Sequence, residues 1–278
     1  NETTGMKSSG TLLYIGYYHK TAANCRNQTL VFDLNGHTLK TTSDVSLSRL
    51  FGVYGTKADG SNFTLTNGIL EMNGTYSAYS PVAFFHGAAK VTLDGVKVTL
   101  NDPSARATHG GMFYIANAKS TLDVINSDLI VDGGDTGSVV KGGIANTGAA
   151  CTITLKNSNF TGGRVTGGVV SGTTHHAMGG QFYILGTAKF TAENCTFTGG
   201  ECVPAETSYT DYGGQIYKVS GSGIFKLTNC TFTGGSAERG AQIYYAGTST
   251  SNVFENCTFT GGKATSWAGS LYNGGRLT

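Results

Sequence analysis

The chain is short of several things. It has 3 prolines and one tryptophan in 278 residues, and only 13% of its residues are charged. The net charge is +2, with no cluster of lysines or arginines. That excludes the electrostatic footprint of a protein whose main partner is nucleic acid or an anionic membrane. No apolar run approaches the roughly 18 residues of a membrane span. No C-x-x-C or H-x-x-x-H spacing suggests zinc, no phosphate-binding loop or Gly-x-Ser-x-Gly elbow occurs, and no cofactor is implied. Long amphipathic helical patterns are also missing.

What the chain does have is glycine, 42 of them, and a repeat. Its clearest copies are Phe190-Thr-Ala-Glu-Asn-Cys-Thr-Phe-Thr-Gly-Gly200, Phe225-Lys-Leu-Thr-Asn-Cys-Thr-Phe-Thr-Gly-Gly235 and Phe254-Glu-Asn-Cys-Thr-Phe-Thr-Gly-Gly262. Upstream the pattern weakens to apolar-x-apolar-x-Asn-x-x-apolar, with Gly in place of Asn in two copies. The anchors fall at 36, 67, 95, 126, 157, 194, 229 and 256. Self-similarity at a period of about 30 residues signals a solenoid. Short alternating runs of Thr, Val, Ile and Phe, bounded by Gly and Asn, read as strands and sharp bends. About thirty residues are too few for a propeller blade and suit three short strands. The expectation is an all-β, right-handed parallel β-helix of eight or more three-stranded rungs.

Residues 1–30 break the pattern. Their apolar stretch Leu12–Tyr18 reads as an N-terminal cap, since a solenoid end must be covered. Residues 31–278 read as the β-helix. Its last rung reads as incomplete, and its open C-terminal end is expected to be an edge for self-association. Loops are expected at 102–110, 132–142, 163–178 and 201–213, most of them at one corner.

In Leu-x-Asn-Cys-x-Phe, a bend between Asn and Cys would turn all four apolar or ladder-forming residues inward. Asn157, Asn194, Asn229 and Asn256 are therefore expected as a buried amide ladder. Cys195, Cys230 and Cys257 are expected as stacked thiols rather than disulfides, because parallel Cβ vectors fit disulfide geometry poorly. Cys25, Cys151 and Cys202 cannot be paired from sequence. Of the several Asn-x-Ser/Thr sequons, those at Asn194, Asn229 and Asn256 would be buried by this reading.

Three outward surfaces follow. One is a column of Tyr114, Tyr183, Tyr217, Tyr244 and Tyr272, interrupted at Ala145 and bordered by Gln181, Gln215 and Gln242. Stacked aromatics beside amides suit sugar rings or a flat protein partner. The second is the corner before that strand, with His109, His175, His176, Asp211, Tyr212, Glu238, Arg239 and Trp267. Asp211 and Glu238 each lie five residues before an inward Ile, so they stack in neighbouring rungs. Their separation would be near the carboxylate spacing of a retaining glycosidase, ≈ 5–5.5 Å. The third is a flat Thr-x-Thr array, Thr196/Thr198, Thr231/Thr233 and Thr258/Thr260. It resembles the ice-binding face of β-solenoid antifreeze proteins.

Residues 31–278 resemble the right-handed parallel β-helix superfamily, often called pectin-lyase-like. The pieces Gly111-Met-Phe113, Gly179-Gly-Gln-Phe182, Gly213-Gly-Gln-Ile216 and Gly240-Ala-Gln-Ile243 are similar to the repeats of polymorphic outer-membrane and adhesin-like surface proteins. Phe32-Asp-Leu-Asn-Gly-His-Thr-Leu39 resembles the opening rung of secreted microbial β-helix proteins. The resemblance implies an extracellular or cell-surface module binding a glycan or a surface protein. The Asp, His-Gly and Arg-x-Lys set of polygalacturonases and the acidic calcium cluster of pectate lyases are both lacking. A polysaccharide lyase or hydrolase using Asp211 and Glu238 is the alternative, and a structural rod is a third.

Overall fold

The computed structural model describes residues 11–16, 27–42, 46–47, 49–55, 60–73, 75–76, 80–101, 111–132, 141–170, 173–204 and 210–276. Among them the chain is a parallel β-solenoid without helix. One face is a sheet of nine strands, from Thr11–Ile15 through Phe182–Ile184, Ile216–Gly221 and Ile243–Gly247 to Leu271–Asn273. The second is a sheet of fourteen strands that run up to and away from the anchors, with Asn67 and Gly95 inside continuous strands. The third is a four-stranded sheet of Arg164–Thr166, Glu201–Val203, Ser236–Arg239 and Lys263–Trp267. All strand pairs are parallel except the small hairpin of Gly168–Val170 with Thr173–His175.

The coil amounts to about six turns rather than eight or more. The expected loop at 102–110 and most of the one at 132–142 lie outside the described residues. Two of the expected loops carry strands instead. Arg164–Thr166 and Glu201–Val203 begin directly after Gly-Gly corners and build the third face. The stretch expected as a cap contributes the strand Thr11–Ile15. It pairs parallel to Arg49–Tyr54 and so extends the first face.

The interior follows from vertical alignment. Phe197 stacks on Phe232 at 4.6 Å and 3°, and Phe232 on Phe259 at 4.9 Å and 10°. Phe190 stacks on Phe225 at 5.2 Å. Identical residues at one register position present identical shapes to each other, so a column of Phe packs without gaps. Where the inner column of the first face turns polar, each polar group has a partner. Lys218, fully buried, donates from Nζ to the carbonyls of Leu185 (2.9 Å) and Gly186 (2.8 Å). Burial holds its pKa down, to about 8.

The anchor ladder is real but lies outside. Asn157, Asn194, Asn229 and Asn256 are exposed, and all have positive φ, between 49° and 54°. Each Nδ2 donates to the Oδ1 of the Asn one rung below, at 3.0–3.2 Å. The left-handed residue shifts the alternation by one, so Thr228 and Asn229 both face outward while Leu227 and Cys230 both face inward. Asn tolerates this conformation better than other non-glycine residues. The sequons at Asn194, Asn229 and Asn256 are accordingly exposed, not buried.

The column after the anchor is Ser127, Ser158, Cys195, Cys230 and Cys257. Each side chain donates to the carbonyl two residues earlier: Ile125, Lys156, Glu193, Thr228 and Glu255. The three cysteines are free thiols, as are Cys151 and Cys202; Cys25 lies outside the described residues.

Candidate functional site: an aromatic strip beside an acidic groove

The site is built by the second corner, Gly-Gly-Gln or Gly-Ala-Gln. The first glycine of each has positive φ: 68° at Gly179, 63° at Gly213 and 61° at Gly240. A Cβ on Gly213 would lie 2.2 Å from the Ile216 carbonyl, so no other residue fits. The next step is a bulge. The N–H groups of Gln181 and Phe182 both donate to the Gln215 carbonyl, and those of Gln215 and Ile216 both donate to that of Gln242. Two consecutive side chains therefore turn inward.

That bulge overturns the outward placement of the glutamines. Gln181, Gln215 and Gln242 are 0% exposed. Their Nε2 groups hold interior carbonyls: Gln215 binds Phe197 (3.0 Å) and Thr233 (3.0 Å), and Gln242 binds Phe232 (3.0 Å) and Thr260 (2.8 Å). Gln181 does the same with Gly162 and Thr198. They are internal braces and offer nothing to a ligand.

The tyrosines align in one column, but Tyr183, expected to face outward, is buried at 8% exposed. Ring centroids are 5.6 Å apart for Tyr183–Tyr217, 5.1 Å for Tyr217–Tyr244 and 4.6 Å for Tyr244–Tyr272. The residue that interrupts it is Asn146, paired with both Tyr114 and Tyr183; Ala145 is paired with Phe113 and Phe182 and points inward. Beyond the gap, Tyr114 continues to Phe84 at 6.0 Å. Burial raises the pKa of Tyr183, and that of Tyr217 further still.

A second column runs beside it: Lys141, Met178, Tyr212, Arg239 and Trp267, linked by successive bridges. Lys141 sits over the Tyr183 ring at 4.8 Å, and Arg239 over Trp267 at 4.4 Å. Tyr212 packs edge-on against Tyr244 at 4.9 Å, with His176 edge-on to Tyr212 at 5.8 Å. Trp267 stays 51% exposed and stacks on Tyr272 at 5.9 Å. The sequence reading missed Lys141 because its role rests on register, not on a motif. His109 lies outside the described residues, as does the side chain of His175.

One residue earlier in that column stand Ala177, Asp211, Glu238 and Ser266. Asp211 and Glu238 do fall in adjacent rungs, and the Arg239 N–H donates to the Asp211 carbonyl at 3.0 Å. Their environments differ. Glu238 is partly exposed and meets Arg239 at 3.7 Å. Asp211 is 1% exposed; its Oδ1 accepts from the Ala177 N–H at 3.2 Å, and its Oδ2 has no partner. Burial pushes the Asp211 pKa up to about 6; the Ala177 N–H pulls it down and Glu238 pushes it up. Both acids line a groove of about 480 Å³ with Glu201, Cys202, Ser236, Lys263, Thr265 and Ser266.

The Thr-x-Thr pairs align in register on the second face, from Thr196/Thr198 through Thr231/Thr233 to Thr258/Thr260. Asn159/Thr161 and Asp128/Ile130 precede them in the same columns. Comparison with protein-family models, curated proteins and solved structures finds no match.

Proposed function

We propose that this solenoid is a secreted or cell-surface binding module that takes a glycan along the aromatic strip. The observation that carries the reading is the cluster of Tyr244, Tyr272, Arg239 and Trp267, with Trp267 half exposed. The stacked tyrosines cover one another's faces and offer edges and hydroxyls. The indole and guanidinium add apolar area and directed donors, a combination suited to polyhydroxylated ligands. In this reading the coil is right-handed, as parallel crossovers nearly always are. In it the chain is also a relative of pectin-lyase-like and adhesin-like β-helices.

The test is a glycan array followed by calorimetry on the best ligand. Substituting Trp267→Ala together with Tyr244→Ala should weaken binding by at least about tenfold, as expected for anchor aromatics. Full affinity in that variant would overturn the assignment of the strip. A blank array, with capture of a surface protein instead, would overturn the glycan.

A second reading has one observation behind it. A carboxyl held near pKa 6, with a second carboxyl one rung away, suits a general acid in glycoside cleavage. Release of reducing ends, abolished by Asp211→Asn and by Glu238→Gln, would establish it.

A further inference from the structure

The groove at the third face adjoins the aromatic strip through Arg239 but has its own chemistry. Its walls carry three carboxylates, Glu201, Asp211 and Glu238, against one lining cation, Lys263. Glu201 and Glu238 each have an arginine at hand: Arg164 at 3.4 Å and Arg239 at 3.7 Å. Asp211 has none. It is almost wholly buried, its Oδ2 accepts no hydrogen bond, and what lies beneath it is the apolar cluster of Val165, Ala177, Cys202 and Ala237. A buried carboxylate oxygen without a donor costs free energy that a ligand donor would recover. The hydroxyls of Ser236, Thr265 and Ser266 line the same groove and can accept further N–H groups. Among the described residues no group of three or more His, Cys, Asp or Glu is placed to hold a metal ion.

We propose that this groove binds an organic ammonium group, with Asp211 as its counter-charge and Glu238 as the second carboxylate. An amino sugar and a polyamine both present that chemistry. Of the titratable groups around Asp211, Glu238 on the next third-face strand and the Cys202 thiol act on it directly, and Glu201 and Lys263 line the same groove. Cys202 is a poor competitor for charge, because burial and the neighbouring Asp211 hold its thiol protonated. Ammonium binding requires the ionised carboxylate, so affinity rises with pH through about 6, where Asp211 titrates.

The experiment is calorimetric titration of the whole chain with glucosamine, with spermidine, and with N-acetylglucosamine as the uncharged control, at pH 5 and 7.5. The expected result is binding of at least one amine at pH 7.5 and at least a tenfold loss at pH 5. Asp211→Asn should cost a further tenfold or more at pH 7.5, and Glu238→Gln a smaller factor. The amine that binds identifies the source. Tyr244→Ala should leave spermidine binding unchanged, which separates this site from the glycan strip. Carbon-detected NMR of the Asp211 carboxyl guards against a poorly folded variant: the saturating amine should lower its pKa in the unmodified chain. The proposal is overturned by no amine binding at pH 7.5 or by equal binding of N-acetylglucosamine. Amine binding intact in a folded Asp211→Asn variant, an Asp211 titration unmoved by amine, or displacement of the amine by millimolar calcium would also overturn it.

Discussion

Two corners of this coil use the same chemical group in opposite ways. At the first, Asn194, Asn229 and Asn256 sit outside and hydrogen-bond one another through their amides. At the second, Gln181, Gln215 and Gln242 sit inside and hydrogen-bond the backbone. The difference lies in the backbone just before the amide. A single left-handed residue turns the Asn corner, and that residue is the Asn itself, so its side chain is thrown out. A left-handed glycine followed by a bulge turns the Gln corner, and the bulge throws the Gln in. An external ladder in water adds little beyond its tolerance of positive φ, whereas an internal brace satisfies carbonyls that no water reaches.

The largest effect should come from the glycine that packs against the braces. Gly200 has φ 82°, and a Cβ there would lie 2.4 Å from the Gly214 carbonyl. Gly200→Ala should cost about 3–5 kcal/mol, from the left-handed backbone and the clash together, read as a shifted denaturant midpoint. Next comes Gln215→Leu, which removes both donors to Phe197 and Thr233 and should cost about 1–3 kcal/mol. A loss no larger than that of the matching Asn variant would break the contrast between corners. Asn229→Ala should cost about 1–2 kcal/mol, mostly backbone conformation, and Asn229→Gly well under 1 kcal/mol. If the glycine variant loses as much as the alanine one, the external ladder itself matters more than its φ.

The effect that depends most on pH concerns Asp211, two residues before Gly213 at the Gln corner. Its pKa is raised in the fold from 3.8 to about 6, so the folded chain binds more protons between those values than the unfolded one does. Stability from this group is therefore present at low pH and is lost as pH rises through about 6. Asp211→Asn keeps the acceptor for Ala177 and removes the buried charge. It should raise the melting midpoint at pH 8 and leave it nearly unchanged at pH 4.

The repeat was legible because identical residues recur at one phase, and register bears out the columns of Phe, Cys, Tyr and Thr. The pairing of Asp211 with Glu238 was legible for the same reason, by counting back from an inward Ile. What the residue pattern hid were the two places where alternation slips. Period-two counting put Asn229 inside and Gln215 outside, and each is reversed by one backbone residue that breaks the count: a left-handed φ in one case, a bulge in the other. The same slip moved the interruption of the tyrosine column from Ala145 to Asn146. Lys141 and the groove below Asp211 depend on contacts between rungs that no single rung reveals.

Side-chain amide exchange measured by NMR tests the central contrast most directly. The NH2 groups of Gln181, Gln215 and Gln242 should exchange with solvent far more slowly than those of Asn194, Asn229 and Asn256. Equal rates for the two sets, or faster exchange at the glutamines, would contradict the assignment of inside and outside on which the account rests.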